Sequence, residues 1–446
     1  MRKTIVHRGA DELSYEIRGI THLAQRVAAC GVDVVWENIG DPIAKGHAVP
    51  EWIMDIVAKA ARRNISYGYS PTRGVNAARA FLATQRTAEG GATLHADDIL
   101  FFNGLGDAIA VLYEYLAPDA RILGPSPAYP THSSAEGAHA QSPHLTYTLN
   151  PQNNWLPDID DIRNKVRYNP SIVGILIINP DNPTGMVYPR QTLQDIVAIA
   201  REHDLFIVAD EIYAHLAYCD EPFVSLAHVI GNIPGIVLRG MSKEVPWPGA
   251  RCGWAEFYNT NTDAEFARYA TALHDAKMLE VCATTLPQTV LPEIYGDERF
   301  AQHVKEQRAV YARRAKQAVD IFRTVPHIHV VPPQGAFYLS LVFDNVLCER
   351  ARTATLPPLN DAVRDVITPA LNDVPCDTRC VYTLLAHTGI CTVPLSGFNT
   401  TLRGIRMTLL ERDDDRFIQT CTQLAVALRR LSEADDSHCQ IDLATV

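Results

Sequence analysis

The chain predicts an α/β fold: a mainly parallel central sheet sandwiched by helices, with a smaller α+β domain beside it. Three observations carry this. The chain has 446 residues, more than one compact core holds, so two domains are expected. Its middle carries continuous apolar runs separated by helical patterns, which parallel strands covered on both faces require. Its last third changes to the alternating apolar and polar residues of antiparallel strands.

In order, "LSYEIRGITHLAQRVAACG" has helical spacing and stops at Gly31, and "VDVVWENIGDP" reads as a short strand that breaks at Gly40-Asp41-Pro42. "RILGPSP" is a strand ending in a turn. The run Ile172 to Ile178 is a buried strand that stops at Asn179-Pro180. "PRQTLQDIVAIAREHD" places Leu193, Ile196, Val197 and Ala200 on one helical face. Leu205 to Ala209 is a second buried strand, ending at Asp210, and Ile236 to Leu238 a third, ending just before Lys243. After about residue 260 the pattern turns helical. "IHVVPPQGAFYLSLVF", "GICTVPLSGF" and "LRGIRMTLL" then read as strands, and "DDDRFIQTCTQLAVALRRL" as a closing helix with an acidic first turn. The resulting division is 1–50, an N-terminal segment joining the small domain; 51–325, the large domain; and 326–446, the small domain, with a loop-rich insertion at about 346–380. The tail "SEADDSHCQIDLATV" reads as disordered.

Composition excludes several function classes. A net charge of −11 opposes non-specific binding to nucleic acid or to an anionic membrane. No run of about 18 apolar residues spans a membrane, and no apolar stretch near the N-terminus reads as a signal peptide. Ten scattered cysteines fit reduced thiols and a cytoplasmic setting. Cys376 and Cys380 lie close together, but no second pair completes a metal pattern, so no metal is expected.

Ligands of open α/β sheets sit beyond the carboxyl ends of the strands. Asn182, Asp210 and Lys243 each follow such an end, so one rim receives an amide, a carboxylate and an amine. A buried aspartate needs a cationic partner, and a lysine there loses its proton more readily and attacks carbonyls. Pyridoxal phosphate offers an aldehyde to the amine and a protonated ring nitrogen to the carboxylate.

"NPDNPTG", "ADEIY", "SK", "PGARCGW" and "IRM" stand in the order and at the spacing of the class I/II aminotransferases, the fold-type I pyridoxal-phosphate enzymes, and the chain resembles that family from "LSYEIR" to the closing helix. The resemblance implies a role for each matching residue. Lys243 resembles the lysine that forms the internal aldimine and moves the proton between the substrate's α-carbon and the cofactor. Asp210 resembles the carboxylate on the ring nitrogen, and Tyr213 and Asn182 the groups on the cofactor's 3′ oxygen. Arg251 resembles the phosphate-binding arginine, with Ser242 beside Lys243 on the same side. Leu105 and Gly106 in "NGLGDA" resemble the phosphate cradle at a helix start, and Tyr129 the aromatic on the ring face. Tyr69, rather than Tyr67, resembles the tyrosine that reaches the phosphate of a neighbouring subunit, which implies a homodimer with shared sites. Gly40 resembles the glycine against the substrate carboxylate, and Arg406, with Arg403 as its rival, the arginine that clamps that carboxylate.

The chain departs from the family at Gly240, where a serine is usual, in the cradle, which lacks a hydroxyl residue, in the extra proline and Trp247 of "KEVPWPGAR", and in "VPLSGF". "LLAHTGICTVPLSGF…IRMTLL" is most similar to the alanine aminotransferase branch. That implies transfer of an amino group between an L-amino acid, alanine or another small neutral one, and a 2-oxo acid such as 2-oxoglutarate. The same fold hosts lyases, decarboxylases and synthases. It also hosts the sensing domains of some transcription regulators, but those carry a basic helix-turn-helix domain, and about 35 residues precede "ENIGDP" here.

Overall fold

The structure, a computed structural model, describes residues 5–13 and 16–433. The expected disorder of the tail from 434 onward lies outside these residues. In chain order the strands are β1 Val35–Trp36, β2 Ile99–Phe102, β3 Arg121–Ser126, β4 Thr146–Asn150, β5 Leu156–Pro157, β6 Ile172–Ile178, β7 Phe206–Asp210, β8 Gly235–Gly240, β9 Gly253–Tyr258, β10 Ile328–Val330, β11 Tyr338–Phe343, β12 Ile390–Cys391, β13 Val393–Pro394 and β14 Gly404–Thr408. The described residues divide into two units. One takes the residues before Ser14, Asp41–Ala312 and Pro333–Phe337; the other takes those of Tyr15–Gly40, Arg313–Pro332 and Tyr338–Val446.

The first unit is built on an eight-stranded sheet in the order β2-β9-β8-β7-β6-β3-β4-β5. The central neighbours β8, β7, β6, β3 and β4 are parallel, and β9 and β5 run against them. The apolar runs are buried as strands covered on both faces must be: every residue of β8 is buried and only Val173 of β6 is half-buried. The sheet is wider than the apolar runs alone indicate. Strand β9, "GWAEFY", is wholly buried and yet carries Glu256, whose carboxylate accepts from Trp254 Nε1 and Tyr258 Oη at 2.9 Å each. A strand that hides a satisfied carboxylate has no apolar run to announce it.

The helices keep their expected faces. Arg190–Glu202 buries Leu193, Ile196, Val197 and Ala200. Ala264–Glu280 starts where Asp263 accepts a hydrogen bond from the Phe266 amide at 2.8 Å. One core cluster joins Ile178, Val208 and Leu238 of the parallel strands to Ile109 and Leu112 of helix Leu105–Glu114 and to Leu273 of helix Ala264–Glu280.

The second unit holds an antiparallel sheet, β10-β11-β14-β13, and the parallel pair β1-β12. The expected loop-rich insertion at about 346–380 is corrected here. It consists largely of helices, Asn345–Thr353, Asp361–Ile367 and the start of Cys376–Thr388. Its prolines stand at boundaries: Pro375 is the N-cap residue of the last helix and Pro369 lies in the first turn of a short 3-10 helix. Asp344 and Asn360 cap the other two.

Candidate active site

The rim of the first unit follows from strand register. Ile178, Asp210 and Leu238 are paired across β6, β7 and β8, so the chain leaves all three strands on one edge. Asp210 is the last residue of β7, Asn182 lies four residues past β6 and Lys243 three residues past β8. The amide, carboxylate and amine expected at one rim therefore share it.

Asp210 is buried and doubly held. Its Oδ1 accepts from the Ile212 amide at 3.1 Å, and its Oδ2 lies 3.0 Å from His132 Nε2. His132, at the start of helix Pro130–Ala140, has no local sequence pattern that identifies it; only the fold brings it to Asp210. Asn182 is buried, and its amide carbonyl has no hydrogen-bond partner among the described residues. Beside it Asp181 accepts from the Thr184 amide and hydroxyl at 3.1 and 2.6 Å, and burial pushes its carboxyl up to about 7.

Lys243 is half-buried, with Nζ 5.7 Å from the ring centroids of Tyr213 and of Phe337. The two rings meet edge to face at 5.4 Å and form one apolar wall beside the amine. Phe337 belongs to a segment read in sequence as strand. It reaches this wall because Gln334 and Gly335 donate their amides to Gly185 O at 2.8 and 2.9 Å. The next residue after Lys243, Glu244, is buried in a separate cluster. Tyr295 Oη donates to its carboxylate at 2.7 Å, and burial pushes it up to about 7 while holding the neighbouring His215 down to about 3. One turn of loop thus presents an amine on one side and anchors a carboxyl on the other.

The Gly104 turn opens helix Leu105–Glu114, whose first amides have no partner within the helix. Gly104 has φ +84°, and a Cβ there would lie 2.3 Å from Arg251 Nη2. Arg251 donates to Asn103 O at 3.1 Å and Pro248 O at 3.3 Å, which places its guanidinium against the cradle formed by Gly104, Leu105 and Gly106. Ser242 is half-buried on the Lys243 loop. The glycine at 240 has a packing reason: a Cβ there would lie 2.9 Å from Cys252 O, just before the neighbouring strand β9. Tyr129 is half-buried at the start of helix Pro130–Ala140 and packs on the core of the first unit. Tyr67 and Tyr69 are both exposed, Tyr69 by 87%, and Tyr67 donates its hydroxyl to Ala61 O at 2.6 Å.

In the second unit Arg406 is buried on β14, its Cζ 4.6 Å from the Tyr338 ring and 5.2 Å from the Phe398 ring, and it donates to Asn38 O at 3.3 Å. Arg403 lies before the strand and turns to the backbone of Thr400 and Leu402, with Asp377 4.0 Å away. Gly40 lies against Tyr338, whose hydroxyl oxygen would be 2.1 Å from a Cβ at that position.

The sequence model of the family "Aminotransferase class I and II" matches residues 33–416. The chain belongs to this family. An uncharacterized aminotransferase of Methanocaldococcus jannaschii is 46% identical over 417 residues, 94% of this chain and 96% of that protein. Glutamate-pyruvate aminotransferase AlaA of Escherichia coli K12 is 29% identical over 389 residues, 82% of this chain and 93% of that one. Among solved structures, an alanine aminotransferase from Pyrococcus furiosus shares the fold with TM-score 0.82 at 23% identity, over 96% of this chain and 99% of that one.

Members of the family are pyridoxal-phosphate enzymes, and the aminotransferase reaction moves an amino group between an amino acid and a 2-oxo acid. The residues of this aminotransferase fit that cofactor. The unsatisfied amide carbonyl of Asn182 costs free energy until a polar group meets it, and the Gly104 cradle, which a side chain would fill, presents helix amides and Arg251 to an anion. Among the described residues no helix is long and apolar enough to cross a membrane, and no cluster of side chains is arranged to hold a metal ion.

Proposed function

We propose that this aminotransferase exchanges amino groups between L-alanine, or another small neutral amino acid, and 2-oxoglutarate. The observation that carries the assignment of its site is the alignment of Asn182, Asp210 and Lys243 at the ends of three adjacent parallel strands. The alanine reading is supported by AlaA, a glutamate-pyruvate aminotransferase that matches 82% of this chain.

When bound, pyridoxal phosphate supplies an aldehyde that bonds amines and a cationic ring that accepts the electron pair from the substrate's α-carbon. Lys243 Nζ is the amine that would hold the cofactor's aldehyde and would carry the proton from the substrate's α-carbon. The wall of Tyr213 and Phe337, with both ring centroids 5.7 Å from Nζ, confines the amine to the rim. Asp210 is the carboxylate that would meet the ring nitrogen, and His132 fixes its orientation. Tyr213 and Asn182 bind the 3′ oxygen, and Tyr129 covers the ring face. The amides of Leu105 and Gly106, with Ser242 and Arg251, bind the phosphate. Arg406 clamps the substrate's α-carboxylate, with Gly40 leaving room beside it; its burial on β14 supports it over Arg403, which is spent on backbone carbonyls.

The working form is a homodimer in which Tyr69 reaches the phosphate of the second copy. Exposed Tyr69, Ile65, Met278, Leu279 and Val281 support an apolar contact face. Hydrogen bonds from Thr72 Oγ1 to Val281 O and from Thr285 Oγ1 to Gly68 O tie its segments together. All nine cysteines of the described residues are free thiols, which supports a reducing compartment such as the cytoplasm.

A panel of amino acids tests the reaction. L-Alanine is expected to bleach the visible band of the cofactor-loaded protein and 2-oxoglutarate to restore it, with pyruvate and glutamate as products. Release of pyruvate and ammonia from L-serine or L-cysteine, whose β-substituent can leave, with no keto-acid acceptor present and no turnover of L-alanine, would replace this reading with a lyase.

A further inference from the structure

Lys277 is 1% exposed, on the last turn of helix Ala264–Glu280, and none of the family motifs includes it. A lysine is buried so completely only when it is paired. Its Nζ donates to Asp107 Oδ2 at 2.9 Å, pairs with Glu280, and lies 5.0 Å from the centroid of the Phe102 ring. Asp107 stands in the first turn of helix Leu105–Glu114, and the same Oδ2 accepts the Asn103 amide at 2.9 Å. Asn103 in turn is held by Glu280, and its Oδ1 accepts from the Thr284 amide and hydroxyl at 2.9 Å each, while its carbonyl takes the hydrogen bond from Arg251. The turn that enters the cradle is therefore fastened to Lys277 and Glu280 at the end of helix Ala264–Glu280, to Thr284 just beyond it and to Arg251.

The charges raise a conflict that Lys277 resolves. A carboxylate in the first turn of a helix opposes an anion at the same N-terminus, because both use the same amides and the same positive end of the dipole. Asp107 and Glu280 place two carboxylates beside a cradle read as the seat of a phosphate dianion. The buried ammonium neutralises one and shares the other. With Gly240 in the place of a serine, the cradle has one hydroxyl fewer with which to offset that repulsion.

We propose that Lys277 is a positioning residue for the cofactor phosphate, acting through Asp107 and Glu280 to hold the Asn103–Gly104 turn in shape and to cancel the carboxylate charge at the cradle. The proposal rests on the reading of the Gly104 turn as the phosphate site.

The test titrates the full-length, cofactor-free protein with pyridoxal phosphate and with pyridoxal, which lacks the phosphate, and takes the ratio of the two affinities. The wild-type protein is expected to prefer the phosphorylated aldehyde by about a hundredfold or more. Lys277→Met is expected to cut that ratio about tenfold or more by weakening pyridoxal phosphate alone. Lys277→Arg restores most of it. Asp107→Asn keeps an acceptor for the Asn103 amide, removes the charge, and leaves the ratio equal or higher; combined with Lys277→Met it recovers what the single variant lost. Equal loss of both ligands in Lys277→Met, or a double variant no better than the single one, would overturn the proposal. If Lys277→Met does not fold, the decision passes to Asp107→Asn, where a tenfold fall in the ratio overturns the proposal. A wild-type protein with no preference for the phosphorylated aldehyde would instead remove the cradle reading on which the proposal stands.

Discussion

Two buried aspartates at neighbouring strand ends are held in opposite ways. Asp210 has an amide on one oxygen and an imidazole on the other, so both oxygens are held. Asp181 takes the amide and hydroxyl of Thr184, both on Oδ2, and burial outweighs these bonds. Burial pushes Asp181 up to about 7 from 3.8, so the folded chain binds a proton there that the unfolded chain releases. The stability this contributes is complete below pH 3.8 and is lost as pH rises towards 7. Asp181→Asn, which cannot ionise, is expected to raise Tm relative to wild type more at pH 8 than at pH 5, by about 2–4 °C for each kcal/mol recovered. An equal difference at both pH values, read by thermal unfolding, would contradict it. Asp210, Asn182 and Lys243 were legible in the sequence because their residue types stand directly after apolar runs. His132 and Phe337 were not, since each meets the rim by tertiary packing from segments with no chemical signature of their own.

At the scale of elements, the cradle depends on backbone shape. Gly104 has a positive φ and no room for a side chain beside Arg251, and Gly253 on β9 has none either, since a Cβ there would lie 3.0 Å from the Leu105 amide nitrogen. Gly104→Ala is expected to destabilise the chain by about 1–2 kcal/mol and to weaken cofactor binding about tenfold or more. Thermal unfolding and titration of the cofactor-free protein measure the two effects; cofactor affinity within twofold of wild type would show that the turn does not hold the phosphate. Strands β6, β7 and β8 could be read from composition because both their faces are buried. Strand β9 could not, because Glu256 breaks its apolar run; its carboxylate accepts from Trp254 and Tyr258 on the same strand and pairs with Arg86 and Arg239 from elsewhere in the fold. The helices of 345–388 were masked by prolines that mark their boundaries rather than interrupt them.

At the scale of the whole molecule, the passage from one unit to the other falls at Ala312–Arg313, inside the helix Glu298–Phe322. A helix that runs through a boundary keeps its periodicity, so no composition shift marks the place. The homodimer implied by the resemblance at Tyr69 and proposed above would use the exposed face with Leu279 and Tyr69, accessible by 83% and 87%. Leu279→Asp puts a charge on that face. Sedimentation is expected to give twice the 49.3 kDa chain mass for wild type and a shift to monomer for the variant, together with faster loss of cofactor. A wild-type monomer that retains its cofactor would contradict the shared site. Which amine binds the cofactor decides the site, since the chain offers Lys243 at the rim and Lys277 buried near the cradle. Borohydride reduction of the cofactor-loaded protein, followed by peptide mapping, answers this directly. The account predicts the reduced label on Lys243 alone, and a label on Lys277 or on any other lysine would contradict it.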